Sequence, residues 1–116
     1  MVDVNEEVRE LLELIPGINI YFLSPPEKSK LPAATYFESA TAEGFRADSR
    51  EWYQKSAAQI DVWATTPRET AELAILVNAV MQEGGWYRNI SRDMGRDGKV
   101  YRKNMLFTKH LDCLKQ

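Results

Sequence analysis

The stretch Gln59-Ile-Asp-Val-Trp-Ala-Thr-Thr-Pro-Arg-Glu-Thr70 decides the fold, because within it an alternating pattern gives way to a capped helical one. Trp52 to Ala64 reads as a strand: Trp52, Ala58, Ile60 and Val62 share one face, and Tyr53, Lys55, Gln59, Asp61 and Trp63 share the other. The first set is the expected core face, so Trp63 points away from the core. Thr66-Pro67-Arg68-Glu69 then matches a capping box. Thr66 can accept from the Glu69 amide, Glu69 can reach back, and Pro67 sits where its missing donor is harmless. Leu73, Leu76, Val77 and Val80 form the apolar stripe of the helix that follows, widened by Ala74 and Met81, and Gly84 or Gly85 supplies a left-handed stop.

Toward the N-terminus, Val4, Val8, Leu11, Leu12 and Ile15 line one face of an amphipathic helix, while Glu6, Glu7, Arg9, Glu10 and Glu13 fall mostly elsewhere. Asp3 or Asn5 can cap it, and Pro16-Gly17 ends it. Ile18 to Leu23 reads as a short strand closed by Ser24-Pro25-Pro26. Pro25 to Pro32 is an exposed loop carrying Lys28 and Lys30, and Ala33 to Ala42 is a strand favoured by Thr35, Tyr36 and Phe37. Glu43 to Glu51, charged around Gly44, is expected to be a hairpin tip or a longer projecting loop. Toward the C-terminus, strands are expected at Trp86 to Arg92 and Lys99 to Lys109, separated by a turn region containing Gly95 and Asp97-Gly98. The order α-β-β-β-α-β-β, with two helices and a largely antiparallel sheet, predicts one two-layer α+β domain over residues 1–116.

The 116 residues are 44% hydrophobic and 28% charged, the balance of an ordinary globular chain. No apolar run approaches the ~20 residues needed to cross a bilayer, so no membrane partner is expected. The first residues lack the pattern of a signal peptide, which predicts synthesis in the cytoplasm. Charge is segregated: residues 1–85 hold 14 acidic and 7 basic side chains, and residues 86–116 hold 3 acidic and 8 basic. That distribution suits an anionic partner, a contact between unlike ends of two subunits, or a solvated surface.

The residues that could carry chemistry do not converge. Cys113 and His110 sit near the chain end with no third partner in sequence, and one cysteine makes neither an internal disulfide nor a zinc set. Asp61 reads as a solvated or paired strand carboxylate. Glu6, Glu7, Glu10 and Glu13 read as the wet side of a helix. Met94-Gly95-Arg96-Asp97-Gly98 lacks the Lys-Ser/Thr ending of a phosphate loop. No catalytic, cofactor-binding or metal residue is therefore assigned. Arg88, Arg92, Arg96, Lys99, Arg102 and Lys103, interleaved with Trp86, Tyr87 and Tyr101, could form a nucleic-acid surface, although alternate strand residues face opposite ways. Trp63, and Phe45 with Arg46 and Arg50, are either covered by the chain itself or available to a neighbour.

Leu31-Pro32-Ala-Ala-Thr-Tyr-Phe, then Gln59-Ile-Asp-Val-Trp-Ala, a capped helix and a last strand bearing Tyr101 to Phe107, together resemble the tail-completion or tail-terminator family of long-tailed bacteriophages and prophages. The likeness spans roughly residues 5 to 110 and rests on the order of elements rather than on an invariant signature. It implies a non-enzymatic subunit of a ring-type homo-oligomer, a hexamer, that ends the tail tube and joins it to the head connector. Its partners would be itself, the tube protein and the connector, its place the tail or neck of a virion made in a bacterial cytoplasm, and DNA only passing cargo. Phe45, Arg46, Arg50, Trp63, Arg92 and Arg96 are the candidate interface residues. The alternatives are a head-completion protein of the same neck and a small nucleic-acid-binding module using the basic C-terminal hairpin.

Overall fold

The computed structural model describes residues 3–23, 30–46 and 51–114, with the side chains of 42–46, 51–53, 96–97 and 112–114 left aside. The elements are α1 (Asn5–Leu12), β1 (Asn19–Phe22), β2 (Ala33–Arg46), β3 (Glu51–Ala64), α2 (Pro67–Glu83), β4 (Tyr87–Asp97) and β5 (Val100–Leu114), so the α+β order is the one expected. They form one five-stranded sheet in the order β1-β2-β3-β5-β4. Only β1 and β2 run parallel; the other pairings are antiparallel.

Both helices lie on the face that alternation assigned to the core. Ala34 and Tyr36 of β2, Ala58, Ile60, Val62 and Ala64 of β3, and Met105 and Phe107 of β5 meet Val4, Val8, Leu12 and Ile15 from α1 and its C-terminal turn, and Leu73, Ala74, Val77 and Met81 of α2. Each of the larger aliphatic side chains contributes about 1.5–3 kcal/mol by leaving water. Leu76 departs from the expected stripe: it is 46% exposed, and Thr70 is buried instead. Thr70 can occupy the core because its hydroxyl donates to the Pro67 carbonyl at 2.7 Å, one turn back. The capping box is half formed, with Thr66 Oγ1 accepting from the Glu69 amide at 3.1 Å. The left-handed residue after α2 is Gly85, at φ +88°, and not Gly84, at φ −78°.

Two polar contacts fasten the helical layer to the sheet. Asn5 Oδ1 accepts from the Glu38 amide at 2.8 Å, joining the first turn of α1 to β2. Lys109 Nζ on β5 donates to the Gly84 carbonyl at 2.8 Å and pairs with Glu7 on α1, so one ammonium holds both helices. A cation here also complements the negative end of α2.

Three boundaries differ from expectation. β2 and β3 pair through Arg46↔Glu51, so Glu43 to Arg46 is strand; charge and one glycine do not stop a ladder whose partner continues. β4 runs on to Asp97 and pairs Arg96↔Tyr101, because Gly95, at φ +81°, lies in a register shift between Asp93 and Arg96 rather than in the turn. β5 runs on past Lys109, carrying His110 and Cys113 in register with Lys55 and Trp52. The long strands project past the helices, and the molecule measures 54 × 23 × 21 Å.

Candidate interaction surface

The second face of the sheet carries neither helix, and pairing register lays out its residues in rows. One row runs Tyr21, Thr35, Asp61, Asn104, Arg92 across all five strands. Beside it, Ala33, Trp63 and Arg102 form a second row, and Phe37, Gln59, Leu106 and Ile90 a third. The face is thus polar at its centre and apolar along one flank. It brings Trp63 and Arg92 onto the same surface, as alternation placed Trp63.

The polar centre is internally satisfied. Arg102 donates from Nη2 and Nε to Asp61 Oδ2 at 2.6 and 3.1 Å, and Asn104 Nδ2 donates to Oδ1, so both carboxylate oxygens are engaged. Asp61 is 5% exposed, so of the two alternatives left open, solvated or paired, it is the paired one. Trp63 Nε1 donates to the Thr35 hydroxyl at 3.1 Å, and the Arg102 guanidinium lies 4.8 Å from the centroid of its ring. The indole is therefore half-buried and propped by its own chain. With both oxygens held by two fixed donors, Asp61 acts as a structural anchor of the open face. Among the described residues no group of three or more His, Cys, Asp or Glu is placed to hold a metal ion.

Among the described residues, the basic side chains of the C-terminal hairpin do not make one patch. Arg102 is spent on Asp61, Lys103 pairs with Asp93 at 3.6 Å, and Lys109 pairs with Glu7. Arg88 stands opposite Phe107 on the helical side and Arg92 opposite Asn104 on the open side, so the two exposed arginines straddle the edge strand. That dispersal is unlike the continuous groove used to track a nucleic-acid backbone.

Of the six candidate interface residues, Trp63 and Arg92 are brought to the open face. Phe45, Arg46 and Arg96 lie on described strands, but their side chains are outside the described set, and Arg50 lies outside the described residues. Asp61, Arg102 and Asn104 were not in the candidate set as a group. The strongest signal available for them was the odd-numbered alternation that places Asp61 beside Trp63; their partners are more than 40 residues away in sequence.

No protein-family model and no curated protein matches this chain. Among solved structures it is similar to a chain of the virion of a native gene transfer agent (GTA) particle, at a TM-score of 0.60 and 11% sequence identity. The likeness covers 91% of this chain and 92% of that chain. At this identity the likeness is one of fold.

Proposed function

We propose that this chain is a non-enzymatic virion assembly protein of phage type, a tail terminator or tail-completion factor whose ring ends the tail tube and joins it to the head connector. The observation that carries the reading is the near full-length fold likeness to a chain of a gene transfer agent virion. It agrees in class with the resemblance drawn from the Leu31–Phe37 and Gln59–Ala64 segments. A fold hosts many functions, so the surface must supply the rest. Here one sheet face has no helical cover, three strands project beyond the core, and the central polar residues serve packing rather than chemistry. Phe45 and Arg46 on β2, Trp63 on β3, Arg92 and Arg96 on β4, and Arg50, which lies outside the described residues, are the residues assigned to contacts with neighbours, tube or connector.

The test is assembly. Native mass spectrometry and negative-stain microscopy of the purified protein, alone at high concentration and mixed with tail tubes or with connectors, should show a closed ring seated on the tube end. Binding to connectors alone would move the assignment to head completion. A protein that stays monomeric in every mixture overturns the reading. A salt-sensitive shift of DNA fragments would favour the nucleic-acid module; no retained fragment at low salt disposes of that alternative.

A further inference from the structure

The two lateral edges of the sheet differ in charge and shape. At one end, a groove between α1 and the β1–β2 edge is lined by Asp3, Glu6, Glu10 and Glu13 together with Phe22 and Tyr36. Phe22 is 50% exposed there. Arg9 is spent on Glu13 at 3.0 Å, whereas Glu6 and Glu10 pair with no described residue. At the far end, β4 is the outermost strand, with no neighbour on its outer side among the described residues. It presents exposed Arg88 and Arg92, and its Ile90 and Met94 are 44% and 48% exposed.

From these opposite edges we infer that the β4 edge of one copy docks into the α1/β1–β2 groove of a second copy, Arg88 and Arg92 meeting Glu6 and Glu10, and Ile90 and Met94 meeting Phe22. The proposal rests on the assembly reading above and names the surfaces it uses. A second copy is the favoured occupant because one chain carries both complementary surfaces, acidic at one end of the sheet and basic at the other. The contact is heterologous, since different surfaces meet, so it repeats from copy to copy and forms a ring where the rotation closes. It also covers an unpaired strand edge with a partner's surface, which an exposed edge otherwise leaves as a pairing hazard. Asn5 serves the same end on β2, since its side chain takes up the Glu38 amide beyond the short β1 strand.

The experiment uses three variants of the full chain, each checked for native fold by circular dichroism: Arg88→Glu/Arg92→Glu, Glu6→Lys/Glu10→Lys, and all four together. Each single-edge reversal is expected to raise the concentration needed for assembly about tenfold or more, and the fourfold swap to restore it. As a second readout, in a Cys113→Ser background, Glu10→Cys with Arg92→Cys should yield disulfide-linked oligomers under mild oxidation, and neither single cysteine should. Wild-type rings with both reversals assembling normally and no crosslink would overturn this inference while leaving the ring itself in place. Absence of any wild-type assembly would instead overturn the reading on which it rests.

Discussion

Arg102 lays its guanidinium 4.8 Å from the centroid of the Trp63 ring and, from the same position, holds Asp61 Oδ2 at 2.6 Å. One side chain thus covers the aromatic residue of the open face and neutralises its buried carboxylate. Arg102→Ala should cost about 1–3 kcal/mol, less than a fully buried pair because the Arg102 side chain is 35% exposed. Arg102→Lys should recover only part, since a point charge cannot both stack and donate in a plane. Urea denaturation of the set checks this; an Arg102→Ala variant as stable as the parent would mean that the contact contributes nothing.

Lys109 should behave as a second, independent fastener. Lys109→Met keeps the stem against Trp86 but removes the donor to the Gly84 carbonyl and the partner of Glu7, for a loss of about 1–2 kcal/mol. Because the bond joins α1 and α2 to β5, amide exchange should quicken at the end of α2 more than in β3. Equal quickening throughout would argue for global destabilisation instead.

The α2 segment was legible because its information is local: Thr66, Pro67 and Glu69 sit within a few residues of one another, and the cap bond at 3.1 Å joins neighbours. The same holds for the face of Trp63, which alternation alone assigns. What alternation could not supply was the partner. Trp63 is held by Thr35 and Arg102, both distant in sequence, and nothing in Asp61 taken alone distinguishes a paired carboxylate from a solvated one. Gly95 misled for a physical reason, since a positive φ serves a bulge as readily as a turn, and the strand resumes after it. Leu76 misled because a helix lying on a sheet buries a narrower arc than its full apolar stripe, and Thr70 fills the position at its N-terminal end.

Local capping energies can be read directly. Thr66→Ala removes the acceptor for the Glu69 amide and should destabilise the protein by about 1 kcal/mol, with Thr66→Ser close to the parent. Thermal unfolding of the three proteins measures it, and a Ser variant as unstable as the Ala variant would contradict the cap.

The adjacent glycines after α2 should fail differently. Gly85 has φ +88°, so Gly85→Ala meets backbone strain of about 1–2 kcal/mol whatever surrounds it. Gly84 has no such strain, but an added Cβ would come within 2.5 Å of Leu11 Cδ1. The penalty of Gly84→Ala should therefore shrink in a Leu11→Ala background, while that of Gly85→Ala should not. Additive losses at positions 84 and 11 would reject the steric account.

Trp63 needs a paired test, because the same ring serves folding and is proposed to serve assembly. Trp63→Ala removes the surface under Arg102 and leaves the Thr35 hydroxyl, 2% exposed, without its donor, so a stability loss of about 2 kcal/mol accompanies any assembly defect. Trp63→Phe keeps a ring for the guanidinium and loses only the hydrogen bond, about 1 kcal/mol. If the ring acts only by propping Arg102, Trp63→Phe should assemble as the parent does, and Trp63→Ala should recover assembly as temperature is lowered and its fold is secured. If the indole itself contacts a neighbour, both variants should assemble poorly at temperatures where both are fully folded. Ring yield measured beside the unfolding curve separates the two, and poor assembly of both variants while folded is the result expected from the proposed interface role of Trp63.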